Sequence, residues 1–166
     1  MTNIYKSNNP AWKRNEWFEE EHINIEKYIP VDQPIVIQKS KELLERLKKI
    51  TPGTDNYGLI HGDLHFLNFT IKDGRITLFD FDDIAYNYFA NDLGVILFYT
   101  YWRPLKQSNN KRSFINEFLR SFLKGYNQEN HFREEWFYQL QDFLRLRHLV
   151  QYIAFLLFYN RSILHP

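Results

Sequence analysis

The sequence predicts a mainly α fold with one small β-hairpin, an α+β arrangement. Three observations carry that expectation. Apolar residues recur at helical spacing through most of the chain, Pro and Gly punctuate those stretches, and Asp73-Gly74 lies between two β-rich runs. From Asp32 to Ile50 the residues Val36, Leu43, Leu47 and Ile50 share a helical face. Asp32 reads as the N-cap before Pro34, Thr51-Pro52-Gly53 as the stop, and the helix is expected beside the loop that begins at His61. Tyr57-Gly58-Leu59-Ile60 reads as a short strand running into a turn at Gly62. Phe69-Thr70-Ile71 and Ile76-Thr77-Leu78-Phe79 are the arms of the hairpin around Lys72-Asp73-Gly74-Arg75. Ala90 to Trp102 is a second helix ended by Pro104. Ser113 to Lys124 is a third, with Phe114, Phe118 and Phe122 on one face and Gly125 as its C′ residue. Residues 133 to about 160 give one long helix or two shorter ones.

Length and charge narrow the function classes. The 166 residues are expected to form a single domain, 1–166, without internal repeats. Lys plus Arg number 21 against 20 Asp plus Glu, so there is no basic stripe for nucleic acid and no polybasic patch for a membrane surface. The absence of cysteine excludes disulfides and thiolate metal sites. The polar start Met1-Thr2-Asn3 lacks a signal-peptide pattern, and a cytoplasmic location is the expectation. The most apolar run, Leu149 to Tyr159, falls short of the roughly 20 residues that span a bilayer and reads as a buried helix.

Chemistry concentrates in two segments, His61-Gly62-Asp63-Leu64-His65-Phe66-Leu67-Asn68 and Phe79-Asp80-Phe81-Asp82-Asp83. The hairpin between them brings its outer ends together, so Asn68 and Asp80 become neighbours although 12 positions apart, with Asp63 on the adjoining loop. An amide oxygen and one carboxylate suit Mg²⁺, which keeps several waters and takes one or two carboxylates plus substrate phosphates. Asp63, left outside the metal shell, could accept or orient the proton of an attacking hydroxyl.

These residues resemble the catalytic core of the aminoglycoside phosphotransferase and choline kinase-like family, small-molecule relatives of the protein kinases, over Tyr57 to Phe98. The resemblance implies the helical C-terminal lobe of a kinase-like fold, an ATP- and Mg²⁺-dependent reaction, and a small-molecule hydroxyl as acceptor. It makes Asp63 the catalytic base, Asn68 and Asp80 the metal ligands, and Asp92 of Asn91-Asp92-Leu93-Gly94 the brace of the catalytic loop, while His61 shapes that loop. Asp82 either joins the metal shell or lines the cleft, and Asp83 reads as a solvated turn residue.

The family's ATP-binding lobe has no counterpart in the sequence. About fifty residues precede Tyr57, the six glycines are dispersed with no G-x-G-x-x-G cluster, and no lysine sits in a Val-Ala-Ile-Lys-like strand. The expectation is therefore the C-terminal lobe alone, inactive by itself. The surface that would face the other lobe should be partly apolar and open to self-association. The alternative is a non-catalytic remnant or interaction domain. Two rival site readings are weaker: a metallohydrolase cluster from His61, Asp63 and His65 lacks a further histidine-rich segment, and an Asp80-x-Asp82 phosphatase motif leaves His61-Gly62-Asp63 unexplained. Tyr86, Tyr88 and Phe89, together with Trp12, Trp17 and Trp102, would form a substrate wall or protein contact only if exposed.

Overall fold

The structure, a computed structural model, describes residues 13–102 and 110–158 together with the backbone of 159–164. Trp12 and Pro104 lie outside the described residues, as does the side chain of Tyr159. The element order is α1 (Ile25–Tyr28), α2 (Pro34–Lys48), β1 (Tyr57–Ile60), β2 (Phe69–Lys72), β3 (Arg75–Leu78), β4 (Ala85–Tyr88), α3 (Phe89–Trp102), α4 (Lys111–Glu129) and α5 (Glu134–Leu164). Two short 3₁₀ turns, Trp17–Glu19 and Glu21–Ile23, precede α1. The architecture is mainly helical with two small antiparallel ribbons, β1 with β4 and β2 with β3.

The helices frame the ribbons through α5. Residues 134–164 contain neither Gly nor Pro, so nothing interrupts the helix, and Glu134 and Glu135 favour its N-terminal dipole end. Its inner stripe is Leu140, Phe143, Leu146, Leu149 and Ile153, all buried. Phe143 and Leu146 pack with Trp17, Leu43, Leu47, Tyr88 and Trp136 in the main core cluster. Leu149 and Ile153 close a second cluster with Ile25 and Ile29. Helix α3 crosses α5 closely at Gly94, where a Cβ would stand only 3.1 Å from Phe143 Cβ.

Several elements depart from their sequence reading. Helix α2 begins at Pro34 with Gln33 at the cap position and no side-chain cap bond, so Asp32 falls in the preceding turn; the helix ends at Lys48. It packs chiefly on α5 and α1 rather than beside the His61 loop, with Arg46 forming a bidentate pair to Asp142 of α5 at 3.0 and 2.9 Å. Helix α4 runs through Gly125 to Glu129, because Tyr126 stacks on Phe122 and meets Trp136 edge-on, giving the next turn a packing partner. The Leu149–Tyr159 stretch is helical but only one face is buried: Phe155 and Phe158 are exposed. Tyr86 and Tyr88 form no exposed wall. They sit in β4, 5% and 4% exposed, paired with Leu59 and Tyr57 of β1. Trp17 is buried as well, whereas Trp102 is exposed. No helix among the described residues is long and apolar enough to cross a membrane.

Candidate active site

Strand β1 delivers the chain to His61, and Gly62 turns it with φ +79, a conformation that L side chains adopt only under strain. A Cβ there would also collide with the carbonyl oxygen of Asp83, so the turn is pressed against the segment that follows β3. Asp92, in the first turn of α3, accepts the His61 N–H at 3.1 Å and the Gly62 N–H at 3.0 Å. Desolvation pushes the Asp92 carboxyl above the usual carboxylate range, opposed by these two backbone bonds. His61 is buried and its Nε2 lies 3.1 Å from Phe79 O. A carbonyl can only accept, so Nε2 carries the proton. The ring also leans on Phe81 at 4.8 Å, joining the first segment to the second.

Asp63, on the loop that follows, is held from several sides. Its side chain is 19% exposed, and Oδ1 accepts from Nη2 of Arg147, which is buried on α5. Oδ2 lies 3.1 Å from Asn68 Nδ2 and 3.2 Å from His65 Nε2. The Leu67 N–H donates to His65 Nδ1 at 3.1 Å, which leaves Nε2 as the protonated nitrogen facing Asp63. Behind Arg147 stands Tyr99 of α3. Its hydroxyl oxygen accepts from Arg147 Nη2 at 2.5 Å and from Gln151 Nε2 at 2.9 Å, and its ring lies 5.0 Å from the guanidinium carbon. Burial pushes the Tyr99 phenol up, with Arg147 opposing.

Asn68 is the hinge of the arrangement. It is buried, and its Nδ2 donates both to Asp63 O at 3.0 Å and to Asp63 Oδ2, which commits both amide hydrogens to the Asp63 loop. Oδ1 is the atom left to face a cation. The hairpin continues the register Phe69↔Leu78 outward through the Phe79 N–H to Asn68 O bond at 3.1 Å, which brings Asp80 up beside Asn68. Asp73 and Gly74, at φ 49 and 73, form the mirror-image turn that matches strand twist. Asp80 itself has φ 63, is exposed, and makes no hydrogen bond or ion pair among the described residues. Asp82 and Asp83 are exposed too. Asp83 and burial together raise the Glu20 carboxyl, burial contributing more.

The structure thus bonds Asn68 to Asp63 and the backbone of His61 and Gly62 to Asp92, and sets Asp80 at the same end of the hairpin. Asp82 is not tied into that network. Among the described residues no group of three or more His, Asp or Glu could hold a metal ion, which removes the basis for the His61-Asp63-His65 metallohydrolase reading. No motif in the sequence assigns Arg147, Tyr99 or Gln151 to the site. The signal was a cationic residue on a helical stripe otherwise apolar, flanked by Phe143 and Leu146, with Gln151 one turn on.

A model described as the phosphotransferase enzyme family matches residues 5–137. An amicoumacin kinase of Bacillus subtilis (strain 168) is 45% identical over 152 residues, covering 92% of this chain and 45% of that protein. The solved structure of an amicoumacin kinase in complex with AMP-PNP, Ca²⁺ and Ami matches with a TM-score of 0.87 and 42% identity, covering 93% of this chain and 46% of that one. The chain therefore spans about half the length of the relatives it matches.

Proposed function

The chain belongs to the phosphotransferase enzyme family, and on that premise we propose that it is the C-terminal lobe of an ATP- and Mg²⁺-dependent kinase acting on a small-molecule hydroxyl. The observation that carries this reading is Asn68. Its amide nitrogen fixes Asp63 while its oxygen is left for a cation beside the unpartnered carboxylate of Asp80. One amide oxygen and one carboxylate, with room for waters and phosphate oxygens, match what Mg²⁺ takes from a protein. The ion would neutralise charge on the transferring phosphoryl group.

Asp63 receives the acceptor. Three donors engage its two oxygens, and a carboxylate offers about four acceptor sites, so capacity for one hydroxyl proton remains. Arg147 and Asn68 hold the carboxylate in place, so that the hydroxyl is oriented and its proton accepted as the new O–P bond forms. Asp92 supports the backbone of His61 and Gly62, and Asp82, exposed, would line the cleft rather than join the ion's shell. The amicoumacin kinases among the relatives make an amicoumacin-like hydroxyl compound the first acceptor to try, and the cytoplasm, with its ATP and Mg²⁺, the place of action. Exposed Ile71, Ile76, Leu78, Phe79 and Phe81 give the hairpin end an apolar surface suited to the rest of a longer chain or to a second copy.

The test is phosphate transfer from ATP to amicoumacin, followed by mass spectrometry, in the full-length protein that carries these residues. Transfer should fall by about 10³-fold or more in Asp63→Asn, the scale of losing a positioned base together with its orienting contacts. Undiminished transfer in that variant would remove Asp63 from the reaction. A second reading is a binding lobe without transfer of its own. It predicts cation binding at Asn68 and Asp80 with no phosphorylated product.

A further inference from the structure

The two oxygens of Asp63 are engaged in different ways. Oδ1 meets the guanidinium of Arg147, whose positive charge turns away a second cation. Oδ2 meets two donors, Asn68 Nδ2 at 3.1 Å and His65 Nε2 at 3.2 Å. A carboxylate oxygen has two lone pairs, so these two donors fill Oδ2. Both come from a single turn, closed by the Asn68 N–H to His65 O bond at 2.9 Å. The ring of His65 is fixed in that turn from three directions: the Leu67 N–H donates to Nδ1, the Tyr99 ring meets it edge-on at 4.4 Å, and the Phe66 ring lies at 5.9 Å. Its side chain is 12% exposed. His65 thus presents one N–H, in one tautomer, to one oxygen.

The filling of Oδ2 matters because of its neighbour. The Asn68 amide that binds Oδ2 through its nitrogen carries, on the same carbon, the oxygen left for a cation. A hard cation favours carboxylate oxygens, and an open lone pair on Oδ2 would lie beside it. We propose that His65 is a positioning residue that keeps Asp63 out of the cation's shell by occupying that lone pair. The inference rests on the reading of Asp63 as base and of Asn68 with Asp80 as the cation site. Neither of the other donors fills the role alone, since Arg147 guards the opposite oxygen and Asn68 must itself reach the ion. A carboxylate drawn onto a divalent ion is turned from the acceptor hydroxyl. It is also weakened as a base, because the adjoining positive charge stabilises its ionised form. His65 therefore preserves the division between a held base and an open ligand.

Mg²⁺ titration of the chain, followed at the Asn68 side-chain amide signals, tests this in His65→Leu and His65→Gln. Leucine packs against Tyr99 and Phe66 without a donor, whereas glutamine restores an N–H near the position of the ring Nε2. His65→Leu should bind Mg²⁺ about tenfold more tightly than the wild type, the scale of one hydrogen bond to a charged group. His65→Gln should match the wild type within about twofold. Adding Asp63→Asn should abolish the gain of His65→Leu, and Asp63→Asn alone should change affinity by a smaller factor. In the full-length protein, kcat for transfer from ATP should fall about 10²-fold in His65→Leu and recover in His65→Gln, with the KM for ATP no higher. Long-range proton–nitrogen NMR of the wild-type ring should place the proton on Nε2, a result that does not depend on how leucine is tolerated. Unchanged Mg²⁺ affinity in a folded His65→Leu, a gain that survives Asp63→Asn, an equal loss of kcat in His65→Gln, or a wild-type ring protonated on Nδ1 alone would overturn the proposal. Failure of the two readings is separable. Tighter Mg²⁺ binding in His65→Leu with no transfer by the wild-type full-length protein defeats only the phosphotransferase reading, and transfer lost in Asp63→Asn but intact in His65→Leu defeats only the role of His65.

Discussion

Asp63 and Asp80 each present a carboxylate at one end of the same hairpin, yet the protein surrounds them in opposite ways. Asp63 is engaged by Arg147, Asn68 and His65, and the loop that carries it is tied down again by Asp92. Asp80 is exposed, sits at φ 63, and has no partner among the described residues. On the proposed reading, geometry is built in where a proton would be received at a fixed angle. On the same reading it is left open where an ion and its phosphates would complete the coordination. A non-glycine residue kept at positive φ without a bond to hold it fits the same division, since such strain collects at ligand sites.

Removing the held side should cost stability, and removing the open side should not. Arg147→Met strands Asp63 and leaves the Tyr99 hydroxyl with Gln151 as its one donor among the bonds described. Urea unfolding should show a loss of about 4 kcal/mol, the scale of breaking one half of a buried pair. A loss below about 1 kcal/mol would break the comparison, because the pair would then be ornamental to the fold. Gly62→Ala, which meets both the strained φ and the Asp83 carbonyl, should lose about 3 kcal/mol by the same measurement.

A smaller effect marks the scaffold away from either carboxylate. Hydrogen bonding from Arg46 holds Asp142 below the usual carboxylate range. A carboxyl depressed in the folded state contributes stability above its unfolded value of 3.8, and that contribution is lost as pH falls through the lower folded value. Thermal melts from pH 5 down to about pH 2 should therefore fall less steeply in Arg46→Met than in the wild type. Asp80→Asn should lie within about 0.5 kcal/mol of the parent in urea, because no hydrogen bond or ion pair among the described residues is removed. A larger cost would mean that Asp80 is structural and the two sides alike.

What the sequence disclosed follows the range of the interactions involved. The β2–β3 hairpin was legible because Asp73-Gly74 and its β-rich flanks decide it locally, and α3 because its apolar spacing is unbroken. Strand β4 was missed because Tyr86 and Tyr88 read as a substrate wall or protein contact until β1, whose Tyr57 hydroxyl bonds Tyr86 O across 29 positions, pairs with them and covers them. Gly125 read as a helix end, since propensity knows nothing of Trp136 waiting for Tyr126. The site divides likewise. Asp63, Asn68 and Asp80 announce themselves by type and spacing, whereas Arg147 reaches Asp63 across 84 positions and depends on how α5 crosses α3.

The central claim, that one cation site lies between Asn68 and Asp80 with Asp63 outside it, is tested most directly by Mn²⁺ titration of the chain with residue-by-residue NMR broadening. Broadening should be strongest at Asn68 and Asp80 and should vanish in Asp80→Asn. Broadening centred on Asp82 and Asp83, or undiminished in Asp80→Asn, would contradict it.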